Sequence, residues 1–262
     1  MKIVHDFAAA KSAGRKIAMV TAYDAPSARL LAKTAVDCVL VGDSVMMTVH
    51  GEENTLGATT DLMALHTRAV VRGNPGCFVV ADMPFLSARQ GKTHALECAA
   101  ILLRAGAQAV KIEGLRGHVK VIKHLVESGI PVMGHLGLLP QSVNTAGGYT
   151  VQARNAAAAK QLHKDAATLQ EAGAFAVVLE CIPAKLARAI TAELKIPTIG
   201  IGAGAGCDGQ VLVWHDLLGL NPEFKPRFVR RFGEGGKTVQ QALVNYARAV
   251  HTGKFPVAKE SF

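Results

Sequence analysis

The chain alternates between short, continuous runs of apolar residues and longer segments in which apolar residues recur every three or four positions. The short runs are typical of parallel strands that are covered on both faces, and the longer segments predict amphipathic helices. About eight such alternations occur. The predicted strands are 16–21, 37–41, 77–81, 108–112, 131–136, 175–180, 198–201 and 211–214.

The predicted helices have recognisable ends. Pro26 lies at or near the first helical position of one helix, Thr60 or Asp61 can cap the next, and the segment 73–76 ends it. Two long loops, 44–60 and 137–150, interrupt the pattern, and the first is a candidate lid or ligand wall. The predicted helices are 27–34, 60–71, 92–105, 117–128, 153–172, 183–194 and 238–251.

An internal repeat supports this organisation. Segment 104–113 resembles segment 171–180, since each has a helix end with a glycine, a short turn and a strand that closes on glutamate. Eight alternations favour a closed (β/α)₈ barrel, or TIM barrel, over a doubly wound sheet. The length of 262 residues fits a single α/β domain that spans 1–262 with a short C-terminal tail.

Five of the apolar runs end in, or contain near their end, a polar side chain. Right-handed crossovers place the carboxyl ends of all barrel strands on one face, where barrel enzymes carry their chemistry. One such ending would mean little, but five predict an active site. The residues concerned are Asp43, Asp82, Lys111 with Glu113, His135 and Glu180.

The carboxylates predict a metal site. Asp43 and Asp82 would stand at the ends of adjacent strands, with Glu113 one strand further round. Converging carboxylates repel one another and raise each other's pKa values, so a hard divalent cation is a natural partner. Mg²⁺ suits carboxylate and water ligands and leaves positions for a bidentate 2-oxo acid. The alternative is that these acids cap the following helices or pair with Lys111.

Three further residues each have a functional and a structural interpretation, and the sequence pattern alone does not decide between them. Lys111 could bind a substrate carboxylate or form an ion pair with Glu113 or Asp82. His135 could donate, as a neutral imidazole, to a carbonyl or enolate oxygen, or be a hydrogen-bonded core residue. Glu180 follows apolar residues and could act as a general base or cap a helix.

Charge and composition narrow the possible partners. The 29 basic and 20 acidic residues give +9, which could suit nucleic acid, an anionic membrane or an anionic small molecule. The basic residues are scattered, with their densest groups at 225–231 and 254–259, and only 5% of residues are aromatic, so we expect no nucleic-acid partner. No apolar run is long enough for a membrane span, and the five cysteines include no CxxC pair, which together favour a reducing, cytoplasmic location.

Ordered motifs cover essentially the whole chain from the first strand to the last helix. They are Thr21-Ala22-Tyr23-Asp24, Val41-Gly42-Asp43-Ser44, Ala81-Asp82-Met83-Pro84-Phe85, Val110-Lys111-Ile112-Glu113-Gly114, Gly134-His135-Leu136-Gly137-Leu138, Pro140-Gln141-Ser142, Gly147-Gly148-Tyr149, Leu179-Glu180-Cys181-Ile182-Pro183, Ile199-Gly200-Ile201-Gly202-Ala203-Gly204 and Cys207-Asp208-Gly209-Gln210. In this order they closely resemble the ketopantoate hydroxymethyltransferase family.

That resemblance implies transfer of a hydroxymethyl group from 5,10-methylenetetrahydrofolate to 3-methyl-2-oxobutanoate through a Mg²⁺-stabilised enolate. The product would be 2-dehydropantoate, in pantothenate biosynthesis. Asp43 and Asp82 are similar to the family's direct Mg²⁺ ligands, and Glu113 to an outer ligand that acts through water. The resemblance also implies a homodecamer.

The same resemblance assigns the remaining roles. Glu180 is similar to the proton acceptor, and the substrate-binding positions are Asp43, Ser44, Asp82, Lys111 and His135. The chain departs from the family pattern at Ala153, where glycine is usual, after Leu56, where proline is expected, and in the tail 259–262, which lacks a histidine before the serine. These departures concern only loop conformation and tail packing.

Two other functions remain as alternatives. Another Mg²⁺ barrel that acts on 2-oxo acids, such as a lyase of the isocitrate lyase type, would carry a Lys-x-Cys-Gly-His type motif, which the sequence lacks. A nucleic-acid or folate-binding protein without catalysis would be consistent with the positive charge.

Overall fold

The computed structural model describes residues 2–73, 76–146, 148, 150–224 and 226–262. Eight parallel strands close into a barrel in chain order, and β8 returns to pair with β1. This confirms the predicted (β/α)₈ barrel. The strands are β1 Ile17–Thr21, β2 Cys38–Val41, β3 Phe78–Asp82, β4 Ala109–Glu113, β5 Val132–Gly137, β6 Ala176–Glu180, β7 Thr198–Ile201 and β8 Gly209–Leu212.

Helices follow most strands, and two 3₁₀ turns cover 140–142 and 258–260. Asn74 and Pro75 of the predicted helix stop, Gly147 and Tyr149 of one family motif, and Lys225 of one basic group lie outside the described residues. The helices are α1 His5–Ser12, α2 Ala25–Leu31, α3 Val45–Thr48, α4 Thr60–Gly73, α5 Lys92–Arg104, α6 Val119–Glu127, α7 Val143–Ala146, α8 Ala156–Glu171, α9 Ala184–Glu193, α10 Trp214–Leu217 and α11 Gly235–His251.

Helix α1 closes the amino-terminal end of the barrel. Its Phe7 is fully buried and packs edge-to-face on Phe78 and Phe175, with ring centroids 5.1 Å apart in both pairs. Such aromatic pairs add stability beyond the area that they bury. With this end filled by aromatic and aliphatic side chains, the polar residues of the strands lie at the opposite, carboxyl end.

The chain divides into two compact units, Met1–Val213 and Trp214–Phe262. The first holds the whole barrel. In the second, α11 has an apolar stripe of Val239, Leu243, Tyr246 and Val250, whose exposed fractions run from 42 to 62%. The prediction that 1–262 form one domain stays a prediction. None of the described helices is long and apolar enough to cross a membrane.

Several boundaries that the sequence predicted are wrong. Helix α2 spans Ala25–Leu31 rather than 27–34, and α11 starts at Gly235 rather than at 238. Strand β8 starts at Gly209, not at 211, because Gly209 and Gln210 already pair with β1 and β7, whereas Trp214 begins a helix. A Cβ at Gly209 would lie 2.5 Å from the Ile17 carbonyl oxygen, so the close approach of β1 requires glycine.

The predicted helix 153–172 also begins later, at Ala156. The side chain of Asn155 caps it by accepting from the Ala158 amide at 2.8 Å. Ala153 has φ +55°, a left-handed conformation that a helix cannot contain. At the start of α4, the hydroxyl of Thr59 accepts from the Leu62 amide at 3.2 Å, so Thr59 caps this helix rather than Thr60 or Asp61. The loop 44–60 contains the short helix α3.

Candidate active site

The polar residues predicted at the strand ends converge on one cavity of about 120 Å³. Asp82 and Glu180 end β3 and β6, and Asp43 comes two residues after β2. Lys111 and Glu113 lie two residues apart on β4, so both side chains face the barrel interior. The charged or titratable residues of the cavity wall are Asp43, Asp82, Lys111, Glu113, His135 and Glu180, and Ser44 lies beside them.

Asp43 and Asp82 are in direct contact. The Asp43 amide donates to Asp82 Oδ2 at 2.9 Å, and both residues are at most 4% exposed. Gly42 leaves room for this turn, because a Cβ there would lie 2.8 Å from Ser44 Oγ. Burial, together with the neighbouring charges of Asp82 and Glu113, raises the pKa of Asp43 well above its usual range. Burial also raises the pKa of Asp82, although Lys111 opposes this shift.

Lys111 is buried among the carboxylates. Its Nζ lies 3.1 Å from Asp82 Oδ1 and 3.9 Å from Glu113 Oε1. Burial alone would lower the pKa of this ammonium, but the charges of Asp82, Glu113 and Asp43 outweigh burial and raise it. Lys111 is therefore a permanent cation in the cavity wall, and the ion pair expected as one alternative is present.

His135 lies between two carboxylates. Its Nδ1 is 3.4 Å from Glu113 Oε1 and its Nε2 is 3.1 Å from Glu180 Oε2. Burial and Lys111, which is 3.2 Å from Nδ1, lower the pKa of His135, but Glu113 and Glu180 outweigh them and raise it to about 9. The two flanking carboxylates thus favour the imidazolium form of the ring, whereas the sequence analysis considered a neutral imidazole. A neutral ring would instead accept from Lys111 at Nδ1.

Glu180 is the most accessible carboxylate of the group, with 15% of its side chain exposed. The next residue, Cys181, has φ +47°, which is uncommon for a residue other than glycine. Backbone hydrogen bonds hold this turn, since the Cys181 amide donates to Ile201 O and its carbonyl accepts from the Gln152 amide, both at 2.8 Å. Strained backbone conformations like that of Cys181 persist only where the surrounding structure holds them, and they are frequent at functional sites.

Sequence reasoning missed the role of Gln141. Its side-chain amide donates to Asp43 Oδ2 at 2.8 Å and to the Met83 carbonyl at 3.0 Å, and its backbone amide donates to Glu113 Oε2 at 3.0 Å. One residue thus holds Asp43 and Glu113, two of the four carboxylates in the cavity wall. The motif Pro140-Gln141-Ser142 contained it, but nothing in the sequence placed this loop over the strand ends.

Tyr23 was likewise given no role. Its hydroxyl lies 2.8 Å from Ser44 Oγ, and burial raises the pKa of this phenol to about 12. It therefore stays a neutral hydroxyl that orients the serine at the edge of the cavity.

The donor set suits a hard divalent cation held by few protein ligands. Asp82 Oδ1, Glu113 Oε1 and His135 Nε2 are buried without a hydrogen bond of good geometry, although each is near an opposite charge. In the part of the chain that the structure describes, no three His, Cys, Asp or Glu side chains form a ready metal-binding group. Mg²⁺ commonly binds through only one or two carboxylates plus water and substrate oxygens. The adjacent pair Asp43 and Asp82 fits that pattern.

Comparison with solved structures bears on the fold. The chain is similar to a 2,3-dimethylmalate lyase described as a member of the PEP mutase/isocitrate lyase superfamily, with a TM-score of 0.62 and 16% identity. The match covers 100% of this chain and 92% of the lyase chain. At this identity the likeness shows a shared barrel fold only.

Comparison with known sequences is more specific. The chain is 52% identical over 262 residues to a 3-methyl-2-oxobutanoate hydroxymethyltransferase of Bdellovibrio bacteriovorus, with 100% of both chains covered. It is 51% identical over 260 residues to an enzyme of the same name from Legionella pneumophila, strain Philadelphia 1, with 99% of both covered. The family model described as ketopantoate hydroxymethyltransferase matches residues 2–258. The chain therefore belongs to the ketopantoate hydroxymethyltransferase family.

Proposed function

We propose that the chain transfers a hydroxymethyl group from 5,10-methylenetetrahydrofolate to 3-methyl-2-oxobutanoate, giving 2-dehydropantoate for pantothenate biosynthesis. One observation supports this most strongly. A single small cavity holds two adjacent buried aspartates, a buried lysine and a carboxylate in contact with an imidazole. These groups can respectively hold a metal, bind an anionic acid and move a proton.

Asp43 and Asp82 would hold Mg²⁺ directly, and Glu113 would bind one of its water ligands. When bound, Mg²⁺ polarises the ketone of the 2-oxo acid and makes the C3 proton more acidic. Gln141 keeps Asp43 and Glu113 in place through its two amide groups. Ser44, oriented by Tyr23, lies where it can donate to a substrate oxygen.

Lys111 supplies a buried positive charge for the substrate carboxylate. Glu180 takes the C3 proton, because it is the carboxylate that combines access to the cavity with a neighbouring imidazolium. His135 Nε2 lies 3.1 Å from Glu180 Oε2, which leaves the other carboxylate oxygen for the proton. The carbon nucleophile formed in this way bonds to the one-carbon unit of the folate. The carbon–nitrogen bonds of that unit break, one water molecule supplies the hydroxyl group of the product, and tetrahydrofolate leaves.

The size of the cavity indicates that the two substrates bind in different places. Its volume of about 120 Å³ suits a small acid. Pockets that enclose drug-sized ligands measure roughly 300–1,000 Å³, so a folate cannot enter completely. The folate would instead present its one-carbon unit at the open carboxyl end of the barrel.

The direct test is an assay for 2-dehydropantoate with the purified chain, the 2-oxo acid, the folate and Mg²⁺. Asp43→Ala and Asp82→Ala should each greatly weaken Mg²⁺-linked substrate binding in calorimetry, because each removes one of the two proposed carboxylate ligands. Asp61→Ala, which removes an exposed acid on α4, is the matched control. Undiminished Mg²⁺-linked binding in both cavity variants would refute the metal assignment, and no product from the wild type would refute the reaction.

The homodecamer implied by the family resemblance and a cytoplasmic location are also part of this proposal. The exposed apolar stripe of α11 supports an oligomer, because large exposed apolar patches usually mark protein interfaces. Light scattering coupled to size-exclusion chromatography measures the mass directly. A monomeric mass at micromolar concentration would contradict the oligomer.

A further inference from the structure

Two histidines form a close pair outside the active-site cavity. His50 follows α3 and His66 lies on α4, and their Nε2 atoms are 3.1 Å apart. The rings are nearly perpendicular, with an interplanar angle of 79° and centroids 5.3 Å apart. We propose that this histidine pair binds a divalent transition-metal ion of the Zn²⁺ or Cu²⁺ type, with water as the remaining ligands.

The ring of His66 is already fixed in the orientation that a metal ligand needs. Its Nδ1 lies 2.6 Å from the Tyr23 carbonyl oxygen. Because a carbonyl oxygen can only accept, Nδ1 carries the hydrogen, and the lone pair of the neutral ring is on Nε2, facing His50. Histidines that bind metals almost always donate their other N–H to a carbonyl or carboxylate in this way.

His50 is the adjustable partner. His50 is exposed and follows the last turn of α3, so its ring can change tautomer and turn the Nε2 lone pair toward a cation. In the present arrangement its Nε2–H donates to His66. Binding of a metal replaces that single hydrogen bond by two metal–nitrogen bonds.

The separation of the two nitrogens matches a shared ion. With Zn–N bonds of about 2.05 Å, nitrogens 3.1 Å apart subtend about 98° at the metal. Tetrahedral coordination needs a separation of about 3.3 Å and a right-angled geometry about 2.9 Å at the same bond length. A change of a few tenths of an ångström therefore satisfies either geometry.

The chemistry of the pair distinguishes it from the carboxylate cluster. Imidazole nitrogen suits Zn²⁺, Cu²⁺ and Ni²⁺, whereas Mg²⁺ prefers oxygen ligands. Within the described ranges no third His, Cys, Asp or Glu completes a metal group here, so water fills the other positions. The site is thus an exchangeable one rather than a structural site with four protein ligands.

Metal binding at the pair would restrain the segment beside the active site. Helix α3 begins directly after Ser44 and ends two residues before His50, while His66 belongs to α4. A bridging ion therefore ties the end of α3 to α4. The amides of Val49 and His50, both bonded to the Val45 carbonyl, should exchange more slowly with solvent when the ion is bound.

Calorimetric titration with Zn²⁺, in excess Mg²⁺, tests the proposal on the full chain. His50→Ala and His66→Ala should each weaken Zn²⁺ binding by at least about tenfold, since each removes one of two protein ligands. His5→Ala, which removes an exposed histidine on α1, should leave binding unchanged. Circular dichroism establishes that the variants are folded, and because His50 is exposed, its variant does not depend on core packing.

A competing site provides the decisive control. His94 Nε2 lies 3.4 Å from Cys98 Sγ and could also attract a soft ion. Loss of Zn²⁺ binding in His94→Ala with retention in His50→Ala would overturn the proposal, as would equal binding in the wild type and both pair variants. The proposal is supported if affinity follows the order Cu²⁺ above Ni²⁺ above Co²⁺ and if Zn²⁺ slows exchange in 45–50 only when both histidines are present.

Discussion

Replacing Glu180 by glutamine isolates the proton-transfer step of the proposed reaction. Glutamine is nearly isosteric, and its amide oxygen can take the position of Glu180 Oε2, which lies 3.1 Å from His135 Nε2. It cannot accept the C3 proton. The variant should therefore fold and bind Mg²⁺ and the 2-oxo acid, but should not form the carbon nucleophile.

The expected magnitude follows from the role of a general base. Such a base contributes about 10²–10⁴-fold to rate, or about 3–5 kcal/mol of the barrier. The cavity offers no equal substitute, because Asp43, Asp82 and Glu113 are all held by other groups. Exchange of the C3 proton should therefore fall by at least about 10²-fold in Glu180→Gln.

The assay needs no folate. Enzyme, Mg²⁺ and 3-methyl-2-oxobutanoate are incubated in D₂O, and proton NMR follows the loss of the C3 signal. Glu193→Gln makes the same change on α9, at a carboxylate that pairs with His163 and is not part of the cavity lining, and should exchange at the wild-type rate. Exchange near the wild-type rate in Glu180→Gln would remove Glu180 from the role of general base.

Three further substitutions test other parts of the molecule. Lys111→Ala should raise the KM for the 2-oxo acid far more than the KM for the folate, because the buried cation that binds the substrate carboxylate is lost. Equal increases of both KM values in steady-state kinetics would indicate a structural ion pair only. Gln141→Ala should weaken Mg²⁺-linked binding in calorimetry by about 10–100-fold, the usual effect of removing a group that orients metal ligands, and unchanged binding would contradict that role. Ala153→Gly should raise the stability by about 0.5–1 kcal/mol, because relief of left-handed strain of about 1–2 kcal/mol exceeds the added chain entropy. Calorimetric melting at fixed protein concentration should show Tm higher by about 1–4 °C, whereas Ala157→Gly, the same change inside α8, should lower it.

The barrel was predictable because its strands are apolar on both faces. Continuous runs such as the one that ends at Val41 or at Glu180 have no other simple interpretation in a chain of this length, and β7 was placed at its observed bounds. The start of strand β8 was predicted two residues too late, because the strand begins with Gly209 and Gln210, which are not apolar. Its start is set by pairing with β1, and pairing is not visible in a local pattern.

The positions of the site residues were predictable for a different reason. Parallel strands bring their carboxyl ends to one face whatever the loops do, so Asp82 and Glu180 were expected to line one cavity, as they do. The contacts of Gln141 depend on how the loop after β5 folds back, which no local pattern encodes. The imidazolium state of His135 likewise depends on two carboxylates that are distant in sequence.

Ala153 shows how a departure from a family pattern gains a physical meaning once the structure is known. From the sequence, alanine in place of glycine raised a question about loop conformation only. The left-handed backbone at Ala153 explains why glycine is usual there, since a Cβ is disfavoured in that conformation. The chain keeps the conformation despite the added Cβ.

The balance of charges in the cavity bears on whether its ionisable residues form a metal site. Asp43, Asp82, Glu113 and Glu180 face Lys111 and His135, which leaves two negative charges in excess when all six are ionised. In a buried cavity that excess is costly. Burial is the main cause of the raised pKa values of Asp43 and Asp82, and the neighbouring carboxylates add to it. A divalent cation cancels the excess charge and lets every carboxylate stay ionised. Because Lys111 and His135 are already balanced by acids, neither can replace that cation. The charge balance therefore favours the proposed metal site over helix capping or structural ion pairs alone.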